Sequence, residues 1–306
     1  AYKGIGRSLL RQGNYQPALK NFKLGQYRAG YSKAFKEYRR TYLTKRFGII
    51  IILLLVLVIG VYIIKKSGII EKIKNEFSFE TASRETESRY KNNLGQRKEL
   101  GIKKIIGGLG YSLYVIFHPF DGFWDLKHES KGNLPAAVIL LSLVSAAYIF
   151  LRQYTGFIFN TRNLSQLNVV IEIISVVLPF ILWSLVNWSL TTLMEGKGTF
   201  RDIFIATAYS LVPIIIIYFP VTVISNYLTQ AEGTFFYFFL SLAVIWTGCL
   251  LFSAMMVTHE FSIAKNIITI VLTIFGIMFV LFLSLLFIHD FRQRFFQILT
   301  TFHQRE

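Results

Sequence analysis

The chain has 306 residues, 53% hydrophobic and 16% charged, with a mean hydropathy of +0.48; this balance excludes an ordinary soluble domain and points to a membrane protein. Its net charge of +16 suits an anionic lipid surface or a charge-set membrane orientation, and it argues against nucleic acid because the aromatics lie inside apolar runs and not among the basic residues. The one cysteine, Cys249, sits in an apolar run, which excludes a disulfide framework and a cysteine-based zinc site.

The chain opens on Ala1 without a charged flank, apolar run and cleavage site, so it is expected to begin partway into a longer chain, with any secretion signal upstream. Residues 1–46 then read as a polar helical arm. Tyr2, Gly6, Ala18, Phe22 and Gly25 stand at the small-and-large spacing of a tetratricopeptide repeat, which this stretch resembles, departing from it at Gly30 where that family commonly has proline. One repeat cannot bury its own apolar face, so the arm is expected to be the last unit of a longer solenoid, with "YSKAFKEYRRTYLTKR" as its exit helix.

Residues 47–64, "FGIIIILLLVLVIGVYII", form an apolar run flanked by Lys45, Arg46, Lys65 and Lys66. Eighteen residues at about 1.5 Å each come close to the roughly 30 Å of a bilayer core, which predicts a single transmembrane helix. Residues 65–133 follow as a polar connector, with mixed charge in "ETASRETESRYKNNLGQRKELG".

Toward the end of the connector, Leu113, Ile116, Phe117, Phe120, Phe123 and Trp124 recur at spacings of three and four. That predicts an amphipathic segment, one helix or two broken at Pro119, with Phe117, Phe120, Phe123 and Trp124 seated in the membrane interface. His118, Asp121, Asp125, His128 and Glu129 are residue types that hold divalent metals, but no spacing motif makes them converge. Polar groups on the wet side of an interfacial helix account for them, so no metal is assigned.

Five further apolar runs, near 134–151, 168–190, 202–224, 235–257 and 266–288, predict a five-helix transmembrane bundle over 134–288, with a tail at 289–306. Glu172 and Asn187 are expected to make polar contacts within the membrane, since a carboxylate or amide there needs a partner. Pro179, Pro213 and Pro220 read as packing kinks, and the Thr258-His259-Glu260 turn as solvated loop. Ser142, Ser145, Ala146, Ala147, Gly248, Ser253 and Ala254 are small enough to admit close helix approach.

Charge then gives an orientation. With residues 65–133 inside, Lys65, Lys66, Lys72, Lys74, Lys127, Lys131, Lys197, Arg201 and Lys265 collect on the cytoplasmic side, against Arg152, Arg162, Arg292, Arg294 and Arg305 on the other. The basic arm lies outside in this arrangement, as a folded domain can, because long domains cross largely regardless of charge.

"HPFDGFWDLKHESKGNLPAA" before the first span of the bundle and "GTFRDIFIATAYSLVP" entering its third resemble the Yip family of membrane proteins, in particular its bacterial branch, over roughly residues 110 to 290. The resemblance implies five helices, a cytoplasmic amino-terminal side and no catalytic residues. It also implies a link to ATP-driven carbohydrate importers, beside which similar bacterial proteins are encoded, with importer permeases as partners.

The expectation is therefore an all-α, non-enzymatic accessory or scaffold subunit of a bacterial plasma membrane without cofactors. Its contacts would be membrane lipid, other integral membrane subunits and an extracellular binding protein or glycan. The alternative is a transporter or channel subunit that itself forms a substrate path, although the chain lacks an importer's coupling-loop motif. Hydrolase and ATP-binding motifs are not found in the sequence.

Overall fold

The computed structural model describes residues 1–66, 93–129, 131–161 and 167–303. The expectations for Lys72, Lys74, Arg162 and Arg305, and for residues 67–92 and 130 of the polar connector, fall outside these residues. The described residues are helical throughout apart from the connections, and they divide into two compact units.

The first unit holds residues 1–103 together with two connections of the bundle, 156–161 and 225–234. It begins with α1 (Tyr2–Arg11) and α2 (Tyr15–Leu24), an antiparallel hairpin turned at Gly13, whose φ of 75° a glycine adopts without strain. Ala18, Phe22 and Ala34 are fully buried between the hairpin and the start of α3 (Arg28–Lys66). Gly6 lies against the Phe22 ring so closely that a Cβ would stand 2.6 Å from it, so the small residue sets the approach of α1 to α2. α3 runs without a break from the arm through the apolar run 47–64.

The second unit begins with the end of α4 (Asn93–Phe117), followed by α5 (Pro119–His128). The break between them is the predicted one: His118 precedes a proline and leaves helical geometry, and Pro119 opens α5 in the first turn, where the N–H has no intrahelical acceptor. The two helices fold back on each other because Gly122 lets α5 meet Val115 of α4, where a Cβ would come within 2.9 Å of its Cα.

Five candidate membrane spans follow, Leu134–Tyr154, Val169–Leu193, Phe200–Ser225, Gln230–His259 and Ile263–Asp290, each within a few residues of an expected apolar run. They comprise α6 (Leu134–Tyr154), α7 (Val169–Leu193), α8 (Phe200–Ser210), α9 (Val212–Ser225), α10 (Gly233–His259) and α11 (Ile263–His303). Side chains start them: Asn133 caps α6 by accepting from the Ala136 N–H at 2.8 Å, and Thr199 and Asp202 form a reciprocal capping box on α8. The third span is two helices because Pro213 supplies no N–H, and the chain steps at Leu211.

The core of this unit is built around the third span. Ile203, Ala206 and Tyr209 meet Val115 and Phe123 of α4 and α5, Ala137 and Leu140 of α6, and Met255 of α10. The Tyr209 hydroxyl donates to the Gly108 carbonyl at 2.9 Å, tying α4 to the spans. Of the small residues expected to admit close helix approach, Ser145, Ala147, Ser253 and Ala254 pack inside the chain; Ser142, Ala146 and Gly248 stay on the outside. The outer faces of α10 and α11 are lined with exposed Phe238, Ile245, Phe275, Phe279 and Phe282, which only a hydrocarbon environment tolerates in such number.

Candidate functional site

The aromatic and acidic stretch around α5 resolves into two faces. Phe117, Phe120 and Trp124 are 70%, 54% and 48% exposed, as an interfacial face requires. Phe123 departs from the expectation: at 1% exposure it is a core residue, wedged among α4, α6 and the third span. A 100° step per residue separates it from Trp124, which is enough to send one ring inward and the next outward.

The charged groups of this stretch are held by ion pairs. Asp125 accepts from Lys131 and from the Tyr111 hydroxyl, both at 2.6 Å, and Lys131 also reaches Glu129 at 2.8 Å. Lys131 and then Tyr111 hold the Asp125 carboxyl below its usual range, while desolvation and Asp125 push the Tyr111 phenol up. His128 stacks on Trp124 with ring centroids 3.8 Å apart and donates from Nδ1 to the Trp124 carbonyl. Among the described residues, no three His, Cys, Asp or Glu side chains gather in a way that could hold a metal ion.

At the same end of the spans, Glu260 draws three segments together. It accepts from Lys127 of α5 at 3.0 Å and from Lys197 of the 194–199 connection at 2.6 Å, with His128 at 3.8 Å. Lys197 and then Lys127 lower its carboxyl to about 2. Glu260 can make this clasp because it adopts a left-handed φ of 56° just past the end of α10, turning its side chain back over the helix terminus.

Its neighbours are not solvated as the sequence suggested: Thr258 and His259 are each 1% exposed. The His259 Nε2 donates to Asn187 Oδ1 at 3.1 Å, Asn187 Nδ2 donates to Thr273 Oγ1 at 3.1 Å, and Thr273 donates to the Thr269 carbonyl. This relay links α10, α7 and α11 where hydrophobicity alone would leave their register loose. It leaves His259 Nδ1 buried without a hydrogen-bond partner. Near the other end of the spans Glu172, 6% exposed, accepts from Arg152 at 2.7 Å, an ion pair between α7 and α6.

Within the first unit a second polar constellation joins the arm to the two connections. Arg28 donates to the carbonyls of Phe157 and Asn160, and Tyr31 packs edge-on against the Phe157 ring. Arg39 makes a two-pronged pair with Glu232 at 2.9 and 2.6 Å and donates to the Tyr227 carbonyl, while Ser32 accepts from the Gln230 N–H. Arg28, Ser32 and Arg39 fall on one face of α3 at helical spacing. None was singled out from sequence, since their partners lie well over a hundred positions away; only the Thr229-x-x-Glu232 capping pattern was locally readable.

The ion pairs and relays of this arrangement position helices and fix connections. No curated protein and no solved structure matches the chain. The Yip1 domain family matches it over residues 113–285, from the last turn of α4 into α11, which is more than half its length and takes in α5, the core around Tyr209, the Glu260 clasp and the His259 relay. The chain is a multi-pass helical membrane protein and belongs to the Yip1 domain family.

Proposed function

We propose that this protein is a non-enzymatic accessory or scaffold subunit of a bacterial plasma membrane, associated with an ATP-driven carbohydrate importer. The observation that carries the scaffold reading is where the specific polar bonding goes. Arg28, Ser32 and Arg39 hold the arm to the 156–161 and 225–234 connections, and Glu260 holds α5 to the ends of the spans. Such bonds keep parts in register within each unit, and none of them is spent on a substrate path.

The same contacts support a topology. Connections 156–161 and 225–234 follow the first and third spans, so they emerge on one membrane side, while α5 leads into the first span from the other. The arm bonds to the former. With the lysine-rich side cytoplasmic, the arm is extracellular and residues 65–133 are cytoplasmic. The tetratricopeptide-like character of the arm belongs to this reading, supported by its helical hairpin and the Gly6–Phe22 approach.

Importer permeases would pack where Ser142, Ala146 and Gly248 leave the outer surface low. The transporter alternative finds less support, because Glu172, the carboxylate expected within the spans, is paired with Arg152. Purification of the native chain in mild detergent is expected to bring importer permeases with it, and Ser142→Leu/Ala146→Leu/Gly248→Leu to reduce their recovery. A chain that elutes without other membrane subunits, or substrate flux through liposomes holding the purified chain alone, would overturn the reading.

A further inference from the structure

The fold-back of α4 on α5 has a depth as well as a direction, and four contacts within the second unit fix it against the spans. The Lys104 carbonyl accepts from Asn133, the residue that caps the first span, at 2.9 Å. One turn further on, the Gly108 carbonyl accepts from Tyr209, well inside the third span. At the end of α4 the Phe117 ring meets Trp246 edge-on, with centroids 6.0 Å apart. The chain then returns along α5 until Lys127 reaches Glu260, just past the end of the fourth span.

Trp246 precedes His259 by thirteen residues, about 20 Å along α10, and stands within two residues of the middle of its span. The stretch from Lys104 to Phe117 is itself about 20 Å long. The start of α4 is therefore level with the span ends and its last turn with the middle of a hydrocarbon core roughly 30 Å thick. Helices lying flat at the surface would meet the spans at one level only. An apolar helix of this length is too short to cross and suits a re-entrant hairpin. The turn suits hydrocarbon as well: the His118 N–H donates to the Tyr114 carbonyl, the Gly122 N–H to the His118 carbonyl, and Pro119 has no N–H to leave bare.

The descent takes polar side chains with it. His118 and Asp121 stand at the tip, exposed beside the exposed rings of Phe117 and Phe120. Gly122, next to Asp121, meets Val115, only two residues before Phe117, which fixes the same depth for the carboxylate. His118 stacks on Tyr114 with ring centroids 4.5 Å apart, whereas among the described residues the Asp121 carboxylate has no hydrogen-bond or ion-pair partner. Asp125, one turn nearer the surface, has both Lys131 and Tyr111. A carboxylate that faces hydrocarbon needs a cation from somewhere.

A second copy of the chain does not bring one. The five spans contain Arg152, Arg201 and Lys265 as their only Lys or Arg, each within three residues of a span end, and Arg152 is bonded to Glu172. The apolar run 47–64 contains none.

We propose that the hairpin tip is a docking surface inside the bilayer for a transmembrane helix of another membrane protein, one that carries a lysine or arginine near its middle. Asp121 pairs with that cation while Phe117 and Phe120 pack against the helix that bears it. This rests on the scaffold reading for the existence of a membrane partner and adds the chemistry of one contact.

The test uses the full chain with Cys249→Ser in phosphatidylcholine vesicles. Nitroxide labels placed singly at Phe117→Cys, Asp121→Cys and Glu129→Cys report depth through their access to oxygen and to a water-soluble nickel chelate. The first two are expected in the hydrocarbon and the third at the headgroups; three labels at one level would remove the hairpin. A synthetic polyleucine helix with a central arginine, read by energy transfer from a donor on Glu129→Cys, should associate roughly fivefold more tightly than the same helix with leucine there. Asp121→Asn should abolish that preference and Asp121→Glu keep it, with the unfolding temperature unchanged in both because the side chain is exposed.

An arginine helix that binds no better than the leucine helix, a preference that survives Asp121→Asn, or self-association of the chain that Asp121→Asn abolishes would overturn the proposal. Importer permeases that co-purify with the native chain while the arginine helix fails sink this contact alone. A chain that elutes without other subunits yet prefers the arginine helix sinks the importer reading and leaves this one standing.

Discussion

The arm and the span bundle bury their cores by different means, and the difference decides what each sequence reveals. In α1 and α2 the apolar residues are few and one small cluster takes them in: Ala18 and Phe22 are fully buried against Ala34 with Leu9, Leu10 and Leu19 partly buried beside them, while Tyr2, Ile5 and Leu24 stay exposed. In the spans, apolar residues stand on every face, so Phe123 and Ile203 go inward while Phe120 and Phe275 go to the lipid side, with nothing in their hydrophobicity to tell them apart. Water enforces the pattern in one region. In the other, hydrocarbon removes the penalty for exposure and packing shape decides.

The largest test of that contrast sets one ring against its neighbour on α5. Phe123→Ala should destabilise the protein by about 3–5 kcal/mol, seen as a lower unfolding temperature in detergent, because it leaves a cavity beside Ile203 and Met255. Phe120→Ala should change stability by less than about 0.5 kcal/mol and act instead on membrane seating. Equal losses at both positions would mean that the two faces of α5 are not distinct.

Asn187 comes next, since it sharpens the claim that polar relays set register where oil cannot. Asn187→Leu removes the partner of both His259 and Thr273 in a buried site and should cost about 1–3 kcal/mol in the same unfolding measurement. Thr273→Val should cost less, because the pairing of Asn187 with His259 survives it. A neutral Asn187→Leu would show that shape alone holds α7 against α10 and α11.

In the arm the corresponding test is Arg39 with Glu232. Both side chains are about one-third exposed, so the two-pronged pair is worth about 1 kcal/mol, read as the coupling in a double-mutant cycle on protection of the 28–46 segment from limited proteolysis. A zero coupling would leave Arg28 and Ser32 as the bonds that matter.

The sequence carried the number and place of the five spans, because length and hydropathy are enough to state that a segment crosses a membrane. It carried the break at Pro119 and the outward placing of Phe117, Phe120 and Trp124, which depend on backbone chemistry and local spacing. It did not carry the inward turn of Phe123 or the burial of His259. The pull that buries His259 comes from Asn187, 72 positions away, and a histidine at the end of a span looks the same whether water or an amide receives its proton. The pairing of Arg152 with Glu172 was half visible: a membrane carboxylate requires a partner, but which cation supplies it depends on the rotation of α6 against α7.

The smallest expected effect concerns Glu260, whose clasp sits in water-accessible surroundings and so reports charge rather than burial. Its carboxyl is held down to about 2, from an ordinary 4.5, by Lys197 and Lys127. A carboxylate with a depressed value contributes its full stabilisation above its ordinary range and loses it as the pH falls through the depressed one. The clasp should therefore be intact at pH 5, weaken below about 4.5 and be gone near pH 2. The side-chain carboxyl resonance of Glu260 in carbon-13-labelled protein, assigned with Glu260→Gln, gives the midpoint directly. Lys197→Gln should move that midpoint upward, and Lys127→Gln should do so by less. A midpoint at the ordinary value in the unaltered protein would dissolve the clasp and leave α5 held by Phe123 and the Asp125 pairs alone.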